Sequence, residues 1–244
     1  TKRQQTLLFS ATLNQGQMPL IKTMVGPNAE QVKVSNGEVT AEHIDQEVIK
    51  LNEGEDKFDR LLTMLESEAF DKVLVFAETK RWVSRVNKKL HKSGITTDEI
   101  HGNKSQGART KALAGFKSGQ VNVLVATDIA SRGLDIPLLP YVVNFEIPNV
   151  SEDYVHRIGR TGRAGASGLA VSLVSADETV FLRDIEKLIG EKLPVEILEG
   201  FEPDPNASTK PFNPQQRGRK PRNNSRSGHS KSGQSKSHTN KSRR

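Results

Sequence analysis

Four short runs, Val73–Ala77, Asn122–Ala126, Tyr141–Phe145 and Leu169–Val174, are almost continuously apolar and rich in β-branched residues. A strand with one buried face alternates apolar and polar side chains, so uninterrupted runs of this kind need cover on both faces. Between them lie Lys80–Lys92, Gln106–Lys117 and Ala176–Ile189, whose apolar residues recur at helical spacing. Such alternation predicts an α/β fold: a mainly parallel sheet covered by helices on both faces. Ligands of such sheets gather at the carboxyl ends of the strands. Thr79, Thr127 and Asp128 each follow a predicted strand.

A second feature points to the chemistry. The segment His156-Arg157-Ile158-Gly159-Arg160-Thr161-Gly162-Arg163 places arginines three residues apart among glycines. A guanidinium fork matches phosphate oxygens bidentately and keeps its proton near neutrality, so this segment suits charge stabilisation of a phosphoryl group rather than acid–base work. The alternative for these residues is a set of surface arginines paired with nearby acids.

Charge is unevenly distributed along the 244 residues. Residues 205–244 hold eleven Lys or Arg and no acid; subtracting them from 36 leaves 25 bases against 29 acids, a net of −4 for the remainder. The basic character therefore belongs to the tail. From residue 203 onward Ser, Asn, Gly, Gln, Pro, Lys and Arg dominate, with Phe212 the sole aromatic beyond that point, a composition that predicts a disordered basic tail over 203–244. Such a tail binds nucleic acid through counterion release without reading sequence, or it serves only as a solvated solubilising segment. Cysteine is absent, which excludes disulfide frameworks and thiolate metal sites. The six histidines do not cluster at metal-ligand spacing, so no metal site of protein side chains is expected. No apolar run approaches the roughly 18 residues of a membrane span.

Five blocks in order carry a resemblance: Ser10-Ala11-Thr12; Leu74-Val75-Phe76 with Thr79; His101-Gly102 with Gln106 and Arg109; Ala126-Thr127-Asp128 through Arg132-Gly133-Leu134-Asp135; and the His156–Arg163 segment. Together they resemble the DEAD-box ATP-dependent RNA helicases over nearly all of residues 1–202. The run His101–Arg109 and the Glu202-Pro203-Asp204-Pro205 exit most resemble the bacterial RhlE type. Ser131 stands where many relatives have Ala. The Gly-x-x-x-x-Gly-Lys-Thr phosphate loop and the Asp-Glu-Ala-Asp tetrad of that family do not occur in the sequence: it contains no Gly-Lys dipeptide, and neither Asp98-Glu99 nor Asp177-Glu178 continues with Ala-Asp. The chain therefore looks like the C-terminal part of a longer protein.

The resemblance implies residues 1–35 as the end of a first RecA-like domain, 36–43 as a linker, and 44–202 as the second RecA-like domain. Within the first piece, strands are expected over Thr6–Phe9 and Gln31–Val34 and a helix over Gln15–Met24, the piece being poorly packed or docked opportunistically. The resemblance further implies ATP with Mg2+ as cofactor, held mainly by the absent first domain, with Arg160 and Arg163 as arginine fingers, each such finger worth roughly 10³–10⁵ in rate. Asp135, with Gly133 permitting a tight turn, would accept from the ribose hydroxyl; a simple turn Asp before Pro137 is the alternative. Ser10, Thr12 and His156 would couple nucleotide state to domain closure, with His156 fastening its segment to the Ser10 block; Ser10 and Thr12 are otherwise strand-end hydroxyls.

Thr79, Gly102, Gln106, Arg109 and Thr127 would contact RNA phosphates without base readout, Arg109 being otherwise a solvated helix arginine. Trp82, at the start of an amphipathic helix, is expected to be partly core rather than a base platform. Implied partners are RNA, the first RecA-like domain, and ribosomal or RNA-decay proteins, in the cytoplasm and with no membrane. The expected activity is duplex remodelling by strand bending, with no ATPase activity from this chain alone. Two rival classes remain: a stand-alone RNA-binding module acting through its tail, and a helicase-like domain of a DNA translocase or repair protein, against which His156 and the Ser10 block argue.

Overall fold

Seven strands, Ile44–Lys50 (β1), Val73–Phe76 (β2), Thr97–Ile100 (β3), Val123–Ala126 (β4), Tyr141–Asn144 (β5), Gly168–Val174 (β6) and Val195–Glu196 (β7), form one sheet in the order β3-β4-β2-β5-β6-β1-β7. Every pairing is parallel. The computed structural model describes residues 5–10, 15–32, 43–51, 56–66, 70–134, 136–163 and 165–196. The helices are Met18–Val25 (α1), Lys57–Leu65 (α2), Lys80–Lys92 (α3), Gln106–Ser118 (α4), Asp128–Ser131 (α5), Ser151–Ile158 (α6) and Thr179–Ile189 (α7).

Alternation along each strand sorts the core onto two faces. Val73, Val75, Val123, Val125 and Val143 meet Phe58, Leu61, Val83, Val86 and Leu90 of α2 and α3. Leu74, Phe76, Leu124 and Val142 point the other way, onto Ala112 and Phe116 of α4. Val142 stands opposite Ala170 in the register, and Ala170 and Val174 pack with Tyr154, Ile158, Leu182 and Ile185 of α6 and α7. The central strands β2 and β4 are thus sealed on both sides, as their unbroken apolar runs require. Burying each such Val, Leu or Phe stabilises by about 1.5–3 kcal/mol.

Helix starts follow their caps. The Thr79 hydroxyl accepts from Trp82 N at 3.2 Å to open α3, and the Ser105 hydroxyl accepts from Ala108 N at 3.3 Å to open α4. Asp56 accepts from Phe58 N at 3.0 Å to open α2. Each cap satisfies a donor that the first helical turn leaves without a partner.

The N-terminal expectations need correction. Residues 5–10, including Thr6–Phe9, form no strand, and neither do Gln31 and Val32; residues 33 and 34 lie outside the described set. A strand is a property of a ladder, and no described segment pairs with either stretch. The helix is present, as α1 after a 3₁₀ turn at Gln15–Gln17, but none of its residues is buried. Leu7, Phe9, Leu20 and Val32 are all exposed. The tail from residue 203 and the linker over 36–42 lie outside the described residues.

One close approach fixes how the arginine segment meets the sheet. The Thr161 hydroxyl donates to Leu139 O, and to Pro140 O at 3.1 Å, while Gly168 N donates to His43 O at 2.9 Å. A Cβ on Gly168 would stand 2.0 Å from Thr161 Oγ1 and 2.7 Å from Gly162 N, so β6 can start beside this loop only with glycine there. Gly168→Ala is expected to destabilise by about 2–3 kcal/mol, lowering Tm by roughly 5–10 °C in a thermal melt.

Candidate functional site

The carboxyl ends of β2, β4 and β5 converge on one guanidinium. Arg157 of α6 is 1% exposed, and its Nε and Nη2 donate to the two carboxylate oxygens of Asp128 at 2.6 and 2.8 Å. Its Nη1 donates to Glu146 O at 2.6 Å and Asn144 Oδ1 at 3.3 Å. The charge also lies 5.3 Å from the centre of the Phe76 ring, and Asn144 Nδ2 in turn donates to Ser172 Oγ at 3.0 Å. A charge this deep is tolerated only when forked to a counter-charge and hydrogen-bonded throughout. Arg157 received no role from the sequence, although its signal was present: it shares the buried face of α6 with Tyr154 and Ile158, at i, i+3 and i+4.

Fixing α6 aims the residues beyond its C-terminus. Glu152 and Asp153 occupy its first turn and His156 and Arg157 its last, the arrangement a helix dipole favours. Beyond Gly159, Arg160 is half-buried and donates from Nε to His156 O and from Nη1 to Leu134 O, both at 3.3 Å. Arg163 is exposed, with Nε donating to Gly159 O at 2.7 Å. Arg132 pairs with Asp153 at 3.0 Å. His156 Nδ1 stands 3.6 Å from the same carboxylate, too far for a hydrogen bond.

A small cleft is lined by Asp128, Ser131, Arg132, Asp153, His156, Arg157 and Arg160. Burial holds the Arg160 guanidinium below its usual range, and the like charges of Arg163 and Arg132 push the same way. An anion beside Arg160 would offset the repulsion from Arg163 and Arg132, not the cost of burial.

The second group of predicted residues lies at neighbouring strand ends. Thr79 follows β2, Gly102 follows β3 and Thr127 follows β4, and these strands are adjacent in the sheet. Gln106 opens α4 and accepts from Arg109 Nη1 at 3.2 Å. Arg109 Nη2 donates to Ala130 O at 3.1 Å, tying α4 to α5. Thr127 N donates to Ile100 O at 3.2 Å. Of the remaining predicted positions, Gly133 takes φ +76° with open space around it, and Ser10 is exposed ahead of α1. Asp135 and Thr12 lie outside the described residues. Trp82 is half-buried against the α2–α3 core, as expected.

Sequence reasoning also missed the carboxylates and lysine behind this edge. Glu78 N donates to Glu146 Oε2 at 2.9 Å. Lys57 Nζ donates to Phe145 O at 3.0 Å and Leu173 O at 2.9 Å and pairs with Glu178. Burial raises the Glu146 carboxyl above its ordinary range, with the Glu78 amide and the Lys57 charge opposing. Among the described residues, no three or more His, Cys, Asp or Glu side chains come together as a metal site. The arginines lining the cleft are the donor type that phosphate oxygens take, and its two carboxylates, Asp128 and Asp153, are each paired with an arginine.

A parallel sheet with guanidiniums beyond its strand ends defines the chain as a RecA-like domain of the helicase C-terminal class. Residues 56–165 match the family model described as the helicase conserved C-terminal domain. Over 189 residues the chain is 42% identical to the DEAD-box ATP-dependent RNA helicase CshA of Bacillus licheniformis, covering 78% of this chain and 38% of that protein. The crystal structure of the E. coli DEAD-box protein SrmB bound to regulator of ribonuclease activity A matches with TM-score 0.64 and 34% identity, over 68% of this chain and 98% of that one. S. cerevisiae Dbp5 bound to RNA and ADP BeF3 matches with TM-score 0.70 and 31% identity, over 77% of this chain and 50% of that one.

The chain belongs to the DEAD-box RNA helicase family and carries its helicase C-terminal domain. It spans between 27% and 48% of the length of curated relatives it matches.

Asp128→Ala leaves a buried guanidinium without its counter-charge and is expected to destabilise by about 3–5 kcal/mol in urea unfolding. Arg157→Lys, which keeps the charge and loses the fork, is expected to destabilise as well. Glu146→Gln tests the other carboxylate. A carboxyl whose folded pKa is raised binds its proton more tightly folded than unfolded, so its ionised form costs stability above the folded pKa and nothing below the unfolded value near 4.5. The Gln variant should therefore be more stable than the parent at neutral pH. Its advantage should vanish in urea melts as pH falls below 4.5.

Proposed function

We propose that this chain is the second RecA-like domain of an ATP-dependent RNA helicase that remodels short duplexes, supplying arginine fingers and RNA-backbone contacts. The observation that carries the reading is the Arg157–Asp128 fork, which fixes α6, the helix that leads into Arg160 and Arg163, with the charges of Arg163 and Arg132 felt at Arg160. Fixed donors already in place where negative charge accumulates are how such sites accelerate phosphoryl transfer. Mg–ATP is held mainly by the other RecA-like domain, with Arg160 and Arg163 reaching its γ-phosphate on closure and Asp135 taking the ribose. His156, Ser10 and Thr12 couple that closure to nucleotide state. Here the bound nucleotide supplies the phosphoryl group; this chain supplies positive charge and position.

Thr79, Gly102, Gln106, Arg109 and Thr127 contact the RNA backbone without reading bases, and the basic tail adds nonspecific affinity. The relatives support RNA: CshA is named an RNA helicase, and the Dbp5 structure holds RNA. SrmB bound to regulator of ribonuclease activity A supports RNA-decay factors as partners, alongside ribosomal proteins as the other partner class of this reading. Within the family the His101–Arg109 run and the Glu202–Pro205 exit favour the RhlE type, acting in the cytoplasm. The domain bounds that go with this reading are 1–35 for the end of the first RecA-like domain, 36–43 for the linker, 44–202 for the second and 203–244 for the tail.

Without a phosphate loop this chain should not hydrolyse ATP on its own. An ATPase assay with RNA should read background, and robust turnover would contradict the two-domain reading. Arg109→Gln should weaken binding to unrelated single-stranded RNAs alike and lower the slope of log K against log salt by about 0.7. Unchanged affinity would remove Arg109 from the interface.

A further inference from the structure

Helix α3 carries Lys80, Arg81, Arg85, Lys88, Lys89 and Lys92, and no acid, in thirteen residues. Two of these cations are committed within the fold. Lys80 donates to Asn103 Oδ1 at 3.1 Å, and Lys89 pairs with Asp56 at 2.9 Å above the Phe58 ring. The other four form a line. Arg81, Arg85, Lys88 and Lys92 are all exposed, and at 3.6 residues per turn they fall within an arc of about 60°, running about 16 Å along the axis. Val83, Val86 and Leu90 occupy the opposite, buried side. Among the described residues none of the four forms a close salt bridge; Arg85 interacts at longer range with the Asp56 carboxylate and lies 4.8 Å from the Trp82 ring.

Stability does not account for this stripe. Like charges at i, i+3 and i+4 destabilise a helix, and Arg81–Arg85, Arg85–Lys88, Arg85–Lys89 and Lys88–Lys92 are all such pairs. Arg81 also sits in the first turn, where the helix dipole disfavours cations. A face that served only for solubility would mix signs. A polyanion laid along the helix would remove the repulsion.

We propose that the Arg81–Arg85–Lys88–Lys92 stripe is an auxiliary surface for the phosphate backbone of an RNA strand that continues past the Thr79 end of the site. Thr79 caps the helix that bears the stripe, so the surface begins where the proposed RNA contacts end. An acidic protein partner fits less well. Protein interfaces centre on apolar and aromatic residues, whereas no large hydrophobic residue of α3 is exposed and Trp82 lies half-buried beside Arg85. The proposal rests on the RNA-binding reading of the strand ends.

The test compares the full chain with a variant carrying Arg81→Gln, Arg85→Gln, Lys88→Gln and Lys92→Gln. Fluorescence anisotropy with oligouridylates of about 6 and about 20 nucleotides, across a salt series, reads both segments of the path. The variant should lose tenfold or more in affinity for the long oligomer, with the slope of log K against log salt falling by about 2–3, while the short oligomer binds as before. Its thermal midpoint should equal or exceed the parent's, since the repulsion is gone. Unchanged long-oligomer affinity and slope would overturn the proposal. So would equal losses for both lengths, which would mean that the stripe does not act as a separate extension. Retained RNA binding with loss of polyglutamate binding would overturn it in favour of an acidic protein. If the parent fails to bind the short oligomer while the stripe still governs the long one, the strand-end reading fails, and the stripe is a separate RNA surface rather than the extension proposed.

Discussion

The forked pair between Arg157 and Asp128 is the interaction on which the functional edge depends. It joins α6 to the start of α5 just after β4, while Nη1 of Arg157 also reaches Asn144 and the Glu146 carbonyl at the end of β5. The two strand ends and the helix are thereby held in one register. Burial of the charge makes this a demanding contact, because either partner left alone faces the low dielectric unpaired. Apolar residues of similar volume would often stabilise such a position equally well. What the ion pair adds is direction: a planar fork constrains the orientation of the helix that leads into Arg160.

Two arginines three residues apart therefore meet opposite fates. Arg157 is spent inside the fold, whereas Arg160, one helical turn later, is held by the carbonyls of His156 and Leu134 and keeps donors for another partner. Carbonyl contacts orient a guanidinium without neutralising it. The nearby charges of Arg163 and Arg132, together with burial, disfavour its charged form. The same logic, spread over a surface, describes the cationic face of α3.

The sheet was legible from the sequence because doubly covered strands leave no polar positions, and β2, β4, β5 and β6 fall within a residue of the apolar runs that predicted them. The boundaries of α3 were legible because Thr79 and its apolar spacing agree. The edge strand β3 was not, since Thr97-Asp98-Glu99-Ile100 pairs on one side only and offers no apolar run. The expected strand at Thr6–Phe9 is absent because apolar residues make a strand only where a partner is at hand. At the site, residue types located the arginines and strand-end hydroxyls, but not the division of labour among them. Arg157 shares the spacing of Arg160 and Arg163, and only its place on the buried face of α6 sets it apart. Lys57 and Glu146 matter through carbonyls and amides distant in sequence, which no local pattern encodes.

The central claim is that fixed guanidiniums on this chain complete a phosphoryl-transfer site formed with another domain. It is tested most directly by RNA-stimulated ATP turnover of this chain joined to a first RecA-like domain bearing the phosphate loop, with Arg160 or Arg160→Lys at that position. Turnover should fall roughly a thousandfold or more in the lysine variant, at unchanged RNA affinity. Turnover within twofold of the parent would contradict the account.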